Sequence, residues 1–282
     1  LEQLPLAIRG DVEPGDVRKV ALTYTTFCRE VIDVVAPLVG VVKPQAAFFE
    51  QLGPHGMLAL ADVIRYAHGK GLLVVLDGKR NDIGSTATAY AQGMLGPGDA
   101  SPWGADALTV SPYLGDDSLT PFVDVATQRG AGIFVLVKTS NPGGKMLQDL
   151  QVDGEAIYQR VGEHVNTLAE QTMGECGYGA VGAVVGATYP EQLKELRKAM
   201  PQTWFLVPGF GAQGGTAADV AGAFDENGLG AIVNNSRGII FAHAKAPYAE
   251  QFGESNWQQA VEAATRDMIE QLALDTPLLQ GE

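Results

Sequence analysis

Cysteine is almost missing from this chain: 282 residues contain two, Cys28 and Cys176. Two distant thiols supply neither a disulfide framework nor the paired spacing of a zinc site. Basic residues are scarce as well, 19 Lys and Arg against 33 Asp and Glu, for a formal charge of −14. Sequence-independent nucleic-acid binding relies on excess Lys and Arg, so nucleic acid is excluded as an expected partner. No apolar run approaches the roughly 20 residues of a membrane span, and the N-terminus lacks the charged and apolar regions of a signal peptide. No membrane partner is therefore expected. The four histidines, His55, His68, His164 and His243, show no metal-ligand spacing, and read as surface or satisfied helix residues with no metal site. No Walker loop and no dinucleotide-binding Gly-x-Gly-x-x-Gly opens a helix. What is left is a soluble protein of a reducing compartment.

Glycine is what the chain has in excess, 35 residues or about 12% against a usual ~7%. It follows no three-residue period, which excludes collagen, and a hydrophobic share of 46% is enough for a large core. Short apolar runs bounded by Gly, Pro, Asp or Asn predict strands at Val39 to Lys43, Leu72 to Asp77, Ala107 to Val110, Ile133 to Val137, Ala180 to Val185, Trp204 to Val207 and Ala231 to Val233. Between them, Val17, Val20, Ala21, Tyr24, Phe27, Cys28, Val31, Ile32 and Val35 keep the spacing of one buried helix face. Pro190 opens another helix, and Ser255 with Gln258 forms a candidate capping box for the last one. Trp103, Trp204 and Trp257 read as core or interface aromatics. The repeating β-then-α order predicts a parallel sheet, and no linker divides it, so residues 1–282 are expected to form a single α/β domain. Seven strands ringed by helices are one short of a (β/α)8 TIM-type barrel, so either the sheet is open or the first strand lies upstream of Leu1 and is missing from this chain.

In such a fold, reactive groups sit at the C-terminal ends of strands. Those ends are Lys43, Asp77, Lys79, Asp82, Ser111, Lys138, Thr139, Ser140, Thr188, Pro208 and Asn234. The densest is Asp77-Gly78-Lys79-Arg80-Asn81-Asp82. Two residues apart on a continuing strand, Asp77 and Lys79 would share the interior side. A lysine among carboxylates keeps its proton, which suits a general acid better than a Schiff-base nucleophile. The same residues would also make a plain ion pair at a strand end. A second signal is Pro208-Gly209-Phe210-Gly211-Ala212-Gln213-Gly214-Gly215, followed at the next strand end by Asn234-Asn235-Ser236-Arg237-Gly238. Glycines let backbone N–H groups approach an anion, and Arg237 adds a bidentate charge, so the pair reads as a phosphate site. The Lys138-Thr139-Ser140-Asn141-Pro142-Gly143-Gly144 loop reads either the edge of a polar ring or nothing more than a turn.

Taken together, these motifs resemble orotidine 5′-phosphate decarboxylase, in its larger bacterial branch. Asp77-Gly78-Lys79-Arg80-Asn81-Asp82-Ile83-Gly84-Ser85-Thr86 is similar to the family's Asp-x-Lys-x-x-Asp-Ile-x-x-Thr signature. Val42-Lys43-Pro44-Gln45 resembles its second-strand lysine motif, and Ser140-Asn141-Pro142-Gly143 its pyrimidine loop. The glycine loop from Pro208 and Arg237-Gly238-Ile239 resemble its phosphate site. The resemblance implies cofactor-independent decarboxylation of orotidine 5′-monophosphate to uridine 5′-monophosphate, in pyrimidine biosynthesis, by a cytoplasmic homodimer. By the same resemblance, Lys43, Asp77, Lys79 and Asp82 form an alternating charge network, with Asp82, Ile83 and Thr86 serving the neighbouring subunit's site. Lys79 protonates C6, Asp77 faces the substrate carboxylate, Ser140 binds the pyrimidine, and Pro208, Gln213 and Arg237 belong to the substrate site. The family carries a ribose-binding Asp on its first strand, so that strand is expected upstream of Leu1. Rival readings are a metal-dependent sugar-phosphate synthase or decarboxylase of the same barrel group, a Schiff-base aldolase using Lys138 or Lys43, and a non-catalytic phosphate-ligand binder.

Overall fold

The computed structural model describes residues 1–211 and 213–276. Ala212 of the glycine loop and the 277–282 end of the expected domain lie outside the described residues. Among the described residues, seven strands form one sheet in the order β1 to β7. They are β1 (Val41–Val42), β2 (Leu73–Arg80), β3 (Ala107–Val110), β4 (Gly132–Lys138), β5 (Val181–Val185), β6 (Phe205–Val207) and β7 (Ala231–Val233). Every neighbouring pair in it is parallel. The long helices are α1 (Val17–Val35), α2 (Gly53–Gly69), α3 (Gly84–Met94), α4 (Thr120–Arg129), α5 (Ile157–Gln171), α6 (Pro190–Ala199) and α7 (Trp257–Asp275).

The sheet curls. Val41, Val75, Ala107, Phe134, Val184, Leu206 and Ile232, one from each strand, meet in a single interior cluster. Alternate residues such as Leu76, Leu108, Val135 and Val185 point outward into the main core beneath the helices. A strand covered on both faces has no polar side to show, which is why β3 is buried at every position. β1 and β7 are the sheet's two ends, and the ring closes through helices instead. Phe27 of α1 lies 5.4 Å, ring centre to ring centre, from Trp257 of α7, with Leu4 and Val261 in the same cluster. This is the expected (β/α)8 barrel one strand short.

Helix α1 buries Val20, Ala21, Phe27, Ile32 and Val35 of the predicted face, and Asp16 caps it by accepting from the Lys19 N–H at 3.1 Å. Val17, on the first turn, is exposed instead. The expected capping box of the last helix does not form. Residues Glu254–Asn256 make a 3-10 turn, and Gln258 donates to Glu30 across the fold. Expected strand edges move by a few residues, most at β2, which runs on to Arg80 because Ser111 pairs with it there.

That extension also breaks the predicted alternation. Leu76 pairs with Leu108 but Arg80 with Val110, so β2 spends four residues where β3 spends two. Lys79 takes up the slack with φ +44°, a region that L-residues seldom enter. Asp77 and Lys79 therefore do not share a side through regular pleating. Their side chains are brought together by a local distortion.

Candidate active site

At the C-terminal mouth of the sheet lies a cavity of about 530 Å³, within the range of small-molecule sites. Its wall includes Lys43, Asp77, Lys79 and Thr109, together with Ser140, Pro208, Gln213 and Arg237. The chain beyond β1 keeps pairing with β2: the Asp77 N–H donates to Pro44 O at 3.0 Å and the Ala46 N–H to Asp77 O at 3.2 Å. This register sets Lys43 beside Asp77.

Asp77 is the hub. Lys43 Nζ donates to its Oδ2 and Lys79 Nζ to its Oδ1, each at 2.6 Å. Gln45 Nε2 adds a bond to Oδ2 at 3.0 Å and Thr109 Oγ1 one to Oδ1 at 2.9 Å. Burial pushes the Asp77 carboxyl up, but the charges and hydrogen bonds of Lys43 and Lys79 outweigh it and hold the group below its ordinary value. The two lysines are not equivalent. The Lys43 side chain is 14% exposed and that of Lys79 49%, so Lys43 is a half-buried anchor while Lys79 opens further into the cavity. Thr109 also accepts the Lys79 N–H at 2.9 Å, tying the strained residue to β3.

Ser140 sits where three loops converge. Thr188 Oγ1 donates to Ser140 O at 2.9 Å. A Cβ on Gly186 would lie 2.6 Å from Ser140 Cα, so only glycine lets β5 pass this loop so closely. At Gly209, with φ +104°, a Cβ would meet Gln213 Oε1 at 3.1 Å and Ser140 Cβ at 3.3 Å. The Ser140 loop and the glycine loop thus share one corner. The glycine loop folds back on itself, with the Gly211 N–H donating to Gly215 O at 2.8 Å. Asn235, beside Gly211, accepts the Gly238 N–H at 3.0 Å and so fixes the turn that presents Arg237. Arg237 is exposed on the cavity wall and makes no ion pair among the described residues.

Several expected positions fall elsewhere. Asp82 does not reach the charge network of its own chain; its Oδ1 accepts the Ile83 N–H at 2.8 Å, and Asp82, Ile83 and Thr86, expected at a neighbouring subunit's site, lie off this cavity wall. Lys138 is buried but outside the cavity, paired with Asp149 under the Tyr158 and Tyr189 rings. Ser111 is likewise off the wall. Among the histidines, His55 is exposed and His68 pairs with Asp106 at 2.8 Å. His164 Nε2 and His243 Nδ1, in contrast, are buried without a partner among the described residues, so the expectation of satisfied histidines fails there. Thr109 and Gln45 were not singled out by residue pattern. Thr109 left one signal, as the lone polar residue of an otherwise apolar strand.

Comparison with known proteins gives the arrangement its setting. The model of the orotidine 5′-phosphate decarboxylase / HUMPS family matches residues 19–252. An orotidine 5′-phosphate decarboxylase of Rhodopirellula baltica is 64% identical over 274 residues, 96% of this chain and 91% of that protein. One of Deinococcus radiodurans is 47% identical, covering 84% of each chain. Among solved structures, the OMP decarboxylase of Leishmania donovani matches with a TM-score of 0.72 and 34% identity, over 90% of this chain and 88% of that one. With a matching family model over most of its length and relatives this similar, the chain belongs to the orotidine 5′-phosphate decarboxylase / HUMPS family.

Proposed function

We propose that this chain decarboxylates orotidine 5′-monophosphate to uridine 5′-monophosphate, a step of pyrimidine biosynthesis, without a cofactor. The observation that carries the reading is one carboxylate held between a half-buried ammonium and a more open one, Lys43 and Lys79, each 2.6 Å from Asp77. The C6–carboxylate bond breaks, carbon dioxide leaves, and the electron pair stays on C6 in an orbital that the ring cannot delocalise. Lys79 delivers its proton to C6 and recovers one from solvent. Asp77 faces the departing carboxylate and holds both lysines, so the positive charge is in place before negative charge develops. Ser140 bonds the pyrimidine edge, Pro208 lines the same wall, and Gln213, Arg237 and the glycine-loop amides grip the phosphate. Phosphate binding far from C6 then holds the ring against Lys79.

The Asp77 surroundings favour this reaction over a metal-dependent one. Between them the two carboxylate oxygens already take two ammonium groups, an amide and a hydroxyl, at least one of which a divalent ion would have to displace. The Schiff-base reading loses Lys138, which lies off the cavity wall, and finds Lys43 paired.

The reading extends to a cytoplasmic homodimer in which Asp82, Ile83 and Thr86 serve the partner's site. Ile83 and Thr86 are exposed, and the segments after β1, β2 and β3 carry the exposed apolar side chains Phe48, Ile83, Tyr113 and Leu114, which a partner subunit would cover. No described helix is long and apolar enough to cross a membrane.

Loss of the orotate chromophore on incubation with substrate tests the reaction. Turnover is expected to survive EDTA, and Lys79→Ala to lower kcat by about 10³-fold or more. If Lys79→Ala turns over as fast as the parent, the proposed proton donor is wrong.

A further inference from the structure

Lys138 ends β4 and is 1% exposed, an unusual place for an ammonium group. By simple alternation it would follow Phe134 and Leu136 into the barrel interior. It does not, because β4 bulges at this point. Leu136 pairs with Val184 and Lys138 with Val185, so two steps along β4 oppose one along β5. Bulges re-aim side chains, and this one turns Lys138 outward, under the helices. Its Nζ lies 4.3 Å from the centre of the Tyr189 ring and 5.2 Å from that of Tyr158, and it is ion-paired with Asp149.

Asp149 closes the loop that begins at Thr139 and Ser140. Directly before it, the short helix Lys145–Gln148 places Leu147 and Gln148 on the cavity wall. Gln148 reaches back to the start of the loop: its Oε1 accepts the Thr139 N–H at 3.1 Å, and its Nε2 donates to Thr139 Oγ1 at 2.8 Å. The two ends of residues 139–149 are therefore tied at one point, and Lys138 is the buried half of that tie.

Stability alone is a poor reason for a lysine here. An apolar side chain of similar length would fill the space without the cost of removing an ammonium from water. The tyrosine rings offset part of that cost. The one opposite charge paired with the ammonium, Asp149, is 44% exposed and at the end of the loop, so full compensation requires that it stay docked. A buried charge that finds its counter-ion in one loop arrangement favours that arrangement over the others.

We propose that Lys138 is a positioning residue for the pyrimidine end of the substrate, holding the 139–149 loop through Asp149 so that Ser140 meets the ring. The inference rests on the proposed reading of the site as a nucleotide site. Two probes separate the ends of the ligand: uridine 5′-monophosphate carries both ring and phosphate, ribose 5-phosphate the phosphate end alone. Lys138→Met is expected to weaken uridine 5′-monophosphate binding about tenfold by calorimetry, with ribose 5-phosphate changed less than about twofold. In a Ser140→Ala background the same substitution should cost almost nothing further, because the group it positions is gone. Equal losses for both ligands, no loss in a folded protein, or an undiminished loss in the Ser140→Ala background would each overturn it. Should Lys138→Met not fold, Asp149→Asn, at the exposed end of the tie, carries the same expectation and the same refutations. Failure of the parent to bind uridine 5′-monophosphate overturns the reading of the site and this inference together. Parent binding that Lys138→Met leaves unchanged overturns the inference alone. Absence of turnover touches only the reaction, since both probes are read by binding.

Discussion

Lys79 stands at φ +44° without being glycine, and such a backbone costs on the order of 1–3 kcal/mol. The strain has a visible use: it swings the ammonium toward Asp77 Oδ1 while the N–H is held by Thr109. Replacing the side chain separates the two effects. Lys79→Gly should be about 0.5–1 kcal/mol more stable than Lys79→Ala in chemical denaturation, because glycine accepts this φ and alanine does not, though both lose the proposed proton donor. Equal stabilities would mean that the φ carries no cost. Asp77 makes a second prediction. Its carboxyl is held below its ordinary value of 3.8, so the stability from its pairing is complete above that value and is lost as pH falls through the lowered one. The denaturation midpoint of Asp77→Asn should therefore trail the parent's by a constant margin from neutral pH down to about 4, narrowing only below that. A margin that closes already near neutral pH would contradict the assignment.

Elements matter here through what their ends and irregularities present. Regular β2 and β4 strands would send Lys79 and Lys138 along the pleat, whereas the irregular register sends Lys79 to the cavity and Lys138 under α5 and α6. Gly186, just past β5, lets the Ser140 loop lie against the sheet, and a Cβ there would fall 2.8 Å from Ser140 N. Gly186→Ala should lower stability by about 1–3 kcal/mol and weaken uridine 5′-monophosphate binding, because the backbone of Ser140 has to move. Unchanged affinity would show that the loop gives way without disturbing its contact. The apolar periodicity of α1 and the strand spacing were legible in residue order, since helix and strand periods are local properties. The bulges were not, because each depends on register with a neighbouring strand some 30 to 50 residues away in the chain.

At the scale of the molecule, a formal charge of −14 opposes the approach of an anionic nucleotide. In the proposed reaction, capture falls to a few local cations, Lys43, Lys79 and Arg237, gathered at one mouth from three separate strand ends. Asp82, Ile83 and Thr86 lie off their own cavity wall, and the proposed homodimer would place them at the partner's site. Ile83, 55% exposed, gives the test. Ile83→Asp should shift the sedimenting species from dimer to monomer at micromolar concentration, with the melting temperature of the fold little changed. A parent that sediments as a monomer would refute the shared site.

The order of residues alone determined the alternation of strands and helices and the strand ends that line the cavity, with Asp77, Lys79, Ser140, Gln213 and Arg237 among them. Those features follow from local periodicity and from the polar residues that interrupt apolar runs. Only the tertiary structure decided which lysine serves which purpose. Lys43, Lys79 and Lys138 all end strands, yet one anchors a carboxylate, one opens into the cavity and one is buried outside it. Thr109 and Gln45 entered the site in the same way, through hydrogen bonds to Asp77 across more than thirty residues of chain. The physical reason is that burial and partner are set by the register between strands, and no residue carries that information about itself.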